Sequence, residues 1–286
     1  MKSSHGIPKL ILSLLLSLTV ITVSAKGKDR FLPSSTTSEA AKASYSKAID
    51  RLVNANHDQY IQFMKEALQA DPNYFMAQAN LALTSLDDKS GDKKIDKSEL
   101  RKALDIPQAN LTDAEKIVRK ILVKIDEDPN ADLTPLTDEL VNAYPETMEA
   151  WGLSRSIAFI ENDDETVFRC SQKLVELDPE FGPAHNALGY AYMSKGQMDM
   201  AKKEFEEYLR LSPNEANAHD SMGEFYMKTG DYAKSAEHYN QAVAMGMNAS
   251  KKYAEKATAL ANGDDPAKWL DEDEMKEKND DSQRGN

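Results

Sequence analysis

Between residues 182 and 215 the apolar side chains come three and four apart in two runs, Leu188 with Tyr192 and then Ala201, Phe205 and Tyr208. That spacing puts each run on one face of a helix, because the α-helix turns once every 3.6 residues. Small residues, Gly189 and Ala201 among them, stand in the same stripes, where a neighbouring helix must come close. The polar turn Lys195-Gly196-Gln197 separates the two runs, and Pro213 follows the second. The pattern predicts two amphipathic helices of about 12 residues each, neither able to bury its stripe alone.

The whole arrangement returns at a fixed step. Pro145, Pro179 and Pro213 are each 34 residues apart, and Met247 falls at the next step. Gly189 and Gly223, Leu188 and Met222, Tyr192 and Tyr226, and Phe205 and Tyr239 keep the same interval. Weaker copies extend it towards the N-terminus, as Tyr60, Met64, Ala67 and Pro72, and as Leu133, Thr137, Leu140 and Pro145. Thr112 with Glu115 is a capping box that opens a helix running through Lys124. Six units result, at 41–74, 75–113, 114–147, 148–181, 182–215 and 216–249, and residues 250–263 form a closing helix that carries Tyr253, Ala257 and Leu260 on one face. A period of this length means stacked helix pairs, whose neighbours bury one continuous core and curl into a superhelix with a concave groove.

Leu188-Gly189-x2-Tyr192, Ala201-x3-Phe205 and Pro213 closely resemble the landmarks of the tetratricopeptide repeat. His185 stands where that pattern usually has Trp, and Trp151 holds the place one unit earlier. The resemblance implies an all-α fold, a right-handed superhelical array of antiparallel helix pairs, with the first helix of each pair lining the groove. The groove residues it implies are Gly152, Ser156 and Phe159, then Asn186, Tyr190 and Met193, then Asp220, Glu224 and Met227. Chaperone-binding members of the family grip a peptide carboxylate with Lys, Arg and Asn there. Asp220 and Glu224 stand where cations are needed, so the expected partner is a neutral or basic protein or peptide segment with apolar anchors.

Charge and the N-terminus narrow this further. Lys2 and Lys9 precede an uncharged apolar run from Leu10 to Val23 and the small-residue site Val23-Ser24-Ala25. Such a run is too short for a bilayer core of about 30 Å, which needs about 20 residues, and reads as a signal peptide cleaved after residue 25. The expected location is periplasmic or secreted, with no membrane span after cleavage. Losing two Lys and no acid takes the formal charge from -13 to -15. A chain this acidic, with no basic stripe, disfavours nucleic acid. Residues 26–40, rich in Ser and Thr, read as a linker, and 264–286, with nine acids and four bases, read as an acidic disordered tail. Cys170 is the only cysteine, which excludes an intramolecular disulfide.

No phosphate loop, nucleophile elbow or zinc-binding helix motif occurs, so a non-enzymatic protein without a cofactor is expected. Calcium is the one metal with a candidate site. Asp88, Ser90, Asp92, Asp96 and Glu99 have the spacing of a helix-loop-helix calcium loop, with Glu99 as its twelfth residue. Lys93 takes the sixth place, where such loops want Gly, and Asp87 precedes the first ligand where an apolar residue is usual. The same stretch also reads as a repeat turn at Gly91 followed by a second helix carrying Leu100 and Ala103, and that reading is favoured. Helix from Asp92 onward would mean a turn, and coil as far as Lys97 would mean a calcium loop. His185 and His219, one repeat apart, are read as packing residues rather than a metal pair, since stacked helices sit about 8–10 Å apart.

Overall fold

A computed structural model describes residues 30–53, 56–86 and 95–269; of 52, 53, 266 and 267 it describes the backbone only. Thirteen α-helices and no strand occur among the described residues. They are α1 (Glu39–Val53), α2 (His57–Ala70), α3 (Phe75–Thr84), α4 (Lys97–Asp105), α5 (Asp113–Glu127), α6 (Thr134–Ala143) and α7 (Met148–Ile160). Then follow α8 (Asp164–Leu177), α9 (Gly182–Ser194), α10 (Met198–Leu211), α11 (Ala216–Thr229), α12 (Tyr232–Ala244) and α13 (Lys251–Ala261). The chain divides into two compact units, an N-terminal one through Gln197 and a C-terminal one from Met198. No described helix is long and apolar enough to cross a membrane.

Short polar residues start the helices by satisfying their free N–H groups. Asn56, Asp163 and Asp231 each accept from the backbone three residues on, at Gln59, Thr166 and Lys234. Thr112 and Glu115 form the reciprocal capping box. The turn after α11 needs a left-handed residue, and Gly230, at φ 82°, supplies it without a Cβ clash. In the N-terminal unit the apolar stripes meet in one core that includes Tyr60, Met64, Leu100, Ala103, Ile121, Leu140 and Leu174. Cys170 is buried there with its Sγ 3.6 Å from Ser154 Oγ, and burial pushes the thiol up, away from the reactive thiolate. Phe205, Tyr208, Met222, Phe225 and Tyr239 are buried in the C-terminal unit.

A single hydrogen bond recurs with the repeat. Trp151 Nε1 donates to the Pro145 carbonyl at 2.8 Å, and His185 Nε2 meets the Pro179 carbonyl at 2.8 Å. His219 bonds the Pro213 carbonyl in the same way. Each ring nitrogen thus reaches back six residues across the entry to its helix. The carbonyl lies beyond the preceding helix, where no intrahelical N–H is left to satisfy it. This explains how His replaces Trp at one repeat position: the place requires a flat ring with an N–H donor.

Three segments differ from expectation. Residues 30–38, read as linker, are packed, with Leu32 and Thr36 buried and α1 starting at Glu39. Helix α4 starts at Lys97, not Asp92, because Asp96 caps it by accepting from the Ser98 N–H at 2.8 Å. The tail continues as a short 3-10 turn, Pro266–Trp269. The signal segment 1–25 and the tail beyond 269 lie outside the described residues.

Close approach fixes Gly223. A Cβ there would meet Tyr239 Cγ and Cδ1 at 2.8 Å, near the rigid base of the ring. Gly223→Ala should destabilise the chain by about 1–3 kcal/mol, an overpacking cost, read by urea denaturation. Equal midpoints for wild type and variant would refute the close-contact role.

His219 also meets His238, Nδ1 to Nδ1 at 3.3 Å, while Tyr226 stacks on the His238 ring. One nitrogen must donate and the other accept, so the pair does not tolerate two added protons. Burial lowers both histidines below their ordinary value. As pH falls through about 6.5, the unfolded chain therefore binds protons that the folded chain resists, and stability present above that pH is lost. Thermal melts between pH 7.5 and 5 should show wild type losing a few degrees more than His238→Gln. Parallel pH curves would exclude the pair as the cause.

Candidate functional site

The expected groove residues lie on α7, α9 and α11, and they separate into buried and accessible sets. In the N-terminal unit Ser156 and Asn186 are each 1% exposed, and Gly152 and Met193 are also buried. Phe159 and Tyr190 are half-buried; Phe159 packs on the cluster of Ala158, Val167 and Ala191. Their burial has a simple cause. A helix flanked by others on both sides leaves little room beside its core stripe, so short side chains there are covered. Ser156 Oγ and Asn186 Oδ1 have no hydrogen-bond partner among the described residues.

Two of the three α11 residues are engaged by the closing helix. Asp220 accepts from Ser250 Oγ at the start of α13, and burial raises its pKa. Asp220 is therefore not a free groove anion. Met227 is half-buried against Ala236, Tyr239, Ala254 and Ala257. Glu224 is half-buried on the same helix.

Among the calcium candidates, Asp96 is the cap of α4, and hydrogen bonding to Ser98 lowers its pKa. Glu99 accepts from Gln78 Nε2 at 2.6 Å and from Lys102 Nζ at 2.6 Å. Ile95 packs on the core. Asp88, Ser90 and Asp92 lie outside the described residues. Among the described residues no group of three His, Cys, Asp or Glu side chains is placed to hold a metal ion.

The described residues also hold a buried, hydrogen-bonded polar array that the repeat pattern does not single out. Glu115 on α5 and Glu149 on α7 are buried, at 0% and 5% exposure, and both hold residues from the segment before α1. The Leu32 N–H donates to Glu149 Oε2 at 2.7 Å. The Ser35 N–H donates to both Glu115 oxygens at 3.0 Å, and Ser35 Oγ to Oε1 at 3.1 Å. Carbonyl oxygens of the segment are met as well: Pro33 by Thr112 Oγ1 at 2.8 Å, and Arg30 by the Glu149 N–H at 3.1 Å. Tyr45 donates its hydroxyl to Glu149, and Thr36 donates to Asp71. Arg30 pairs with Asp50 at 2.7 Å. Burial pushes the Glu149 carboxyl up to about 7, against hydrogen bonds from Tyr45 and Leu32 and the Arg30 charge. The signal was present in the sequence, since Glu115 and Glu149 stand one 34-residue step apart. Each also reads as an ordinary first-turn acid, favourable at a helix N-terminus, which masks any further role.

The sequence model of the tetratricopeptide repeat family matches residues 182–215 and 216–245. No curated protein matches the chain. Solved structures with a similar helical arrangement include TTC0263, a thermophilic TPR protein in Thermus thermophilus. It is 14% identical, with 77% of this chain and 99% of that one covered, at a TM-score of 0.45. MamA 41-end from Desulfovibrio magneticus RS-1 is 13% identical, with 73% and 97% covered and a TM-score of 0.40. A further MamA protein is 17% identical, with 74% and 95% covered and a TM-score of 0.38. The two matched repeats span α9 to α12, where the sequence landmarks are most regular, and this stretch of the chain is a pair of tetratricopeptide repeats.

Proposed function

We propose that this protein is a non-enzymatic scaffold of the cell envelope or secreted space, which holds a peptide or protein partner against the first helices of its repeats. The observation that carries the reading is the pair of family-matched repeats, whose role is protein interaction. Phe159 and Tyr190 in the N-terminal unit, with Glu224 and Met227 in the C-terminal unit, are the half-buried first-helix side chains that a partner would reach. They favour a neutral or basic segment with apolar anchors, because Met and aromatic rings adapt to varied apolar surfaces and Glu224 repels a carboxylate. Export rests on the apolar run after Lys9 and the small residues at 23–25.

Affinity capture from envelope fractions tests both parts. Wild type should be recovered without residues 1–25 by mass, and Tyr190→Ala combined with Met227→Ala should lose at least tenfold in captured partner. Equal recovery of the same proteins by both forms would sink the interaction surface, and an unprocessed chain in the cytoplasmic fraction would sink export.

A second reading is favoured by one observation: α4 begins at Lys97 behind the cap Asp96, where the exit helix of a calcium loop starts. On this reading the oxygen side chains of Asp88, Ser90, Asp92, Asp96 and Glu99 hold calcium, with Glu99 exchanging Gln78 and Lys102 for the ion. Titration calorimetry at millimolar calcium should show heat for wild type that Glu99→Gln lacks. Identical traces would end it.

A further inference from the structure

Residues 30–36 sit in the N-terminal unit as a bound peptide sits in a receptor. The segment belongs to no helix, yet its main chain is met on both its donor and its acceptor sides, by Glu149, Glu115 and Thr112. Backbone groups are common to every peptide, so these contacts do not by themselves demand this segment. Its side chains add the selectivity. Leu32 is buried, the Phe31 ring lies 5.6 Å from Tyr45, and the Arg30 guanidinium pairs with Asp50.

Spacing explains why the match works. Leu32 and Ser35 are three residues apart, a reach of about 10 Å in an extended chain. Glu115 and Glu149 are one repeat apart, and neighbouring helices stack about 8–10 Å apart. An extended chain can therefore present an N–H to each of these two helices, as Leu32 does to Glu149 and Ser35 to Glu115. Pro33, between the two, has no N–H to leave unpaired and favours an extended conformation in the residue before it.

We propose that the Glu115–Glu149 rung is a peptide site for an extended segment of the pattern basic, apolar, apolar, Pro and three small polar residues. Residues 30–36 fill it in cis, and a segment of the same pattern on a partner takes it in trans. The proposal rests on the reading of this array as a peptide-binding scaffold, and adds the ligand's chemistry and a place distinct from Phe159 and Tyr190. A partner must displace the chain's own segment, so the site is weak towards outsiders until that segment leaves.

The probe is a fluorescent, end-blocked peptide of residues 30–36, offered to the full chain and followed by anisotropy. Arg30→Ala combined with Leu32→Asp, which unseats the cis segment, should bind it at least tenfold more tightly than wild type. Adding Glu115→Gln and Glu149→Gln should remove that gain, and methylating the peptide nitrogens at the Leu32 and Ser35 positions should weaken binding at least tenfold. The idea is overturned if the unseated chain, helical by circular dichroism, binds no better than wild type, or if the methylated peptide binds equally well. Should that variant not fold, hydrogen exchange in wild type decides. Millimolar peptide should speed exchange at Leu32 and Ser35 at least fivefold, and unchanged rates mean a permanent structural strap. Trans binding that survives Tyr190→Ala, beside failed partner capture, would leave this site standing and remove the other surface.

Discussion

A helix of about 13 residues with one apolar stripe is marginal in water, because nucleating it costs more than so few hydrogen bonds return. Everything else in this protein depends on the remedy, which is stacking the stripe of each helix against its neighbours. The 34-residue step puts Tyr60, Leu100, Leu140 and Leu174 into one core without any disulfide. It also dictates where side chains must be absent, since Gly223 faces the Tyr239 ring with no room for a Cβ. Even the polar contacts obey it. Trp151, His185 and His219 each reach the proline carbonyl six residues back, so the turns between helices are tied by the same bond made three times.

Regular stacking carries a cost at the helix N-termini, where N–H groups and the favourable end of the dipole attract acids. Glu115 and Glu149 occupy those ends; Glu115 caps its own helix through the Thr112 N–H, and both carboxylates also accept from the backbone of another segment. Burying two carboxylates is costly unless they are fully hydrogen-bonded. The segment meets that condition with N–H groups three residues apart, and Tyr45 completes Glu149. The first helices thus present two kinds of side chain: half-buried rings such as Phe159 and Tyr190, and buried carboxylates that meet a main chain.

The helices, their pairing and most of their core were legible in sequence, because stripes three and four apart and a repeated step of 34 admit few other packings. Asp220 shows where such reasoning stops. Its place on α11 follows from the register, but its bond to Ser250 depends on how the closing helix docks, which no periodicity encodes. Ser156 and Asn186 likewise have the right helical phase for a groove, and the neighbouring helices decide that they are covered.

Residues 26–40 mark the boundary most clearly. Their composition, rich in Ser and Thr with no apolar period, reads as linker, and by itself it contains no instruction to fold. Local sequence determined the helices through the turn-by-turn match of apolar spacing to helical pitch, and it determined the repeat through identical residues at identical steps. Only the tertiary structure decided that Leu32 and Ser35 would meet Glu149 and Glu115. Those contacts join residues 117 and 80 positions apart. They exist because stacking brings two carboxylates, each on its own helix, within reach of one segment, a placement that no local pattern encodes.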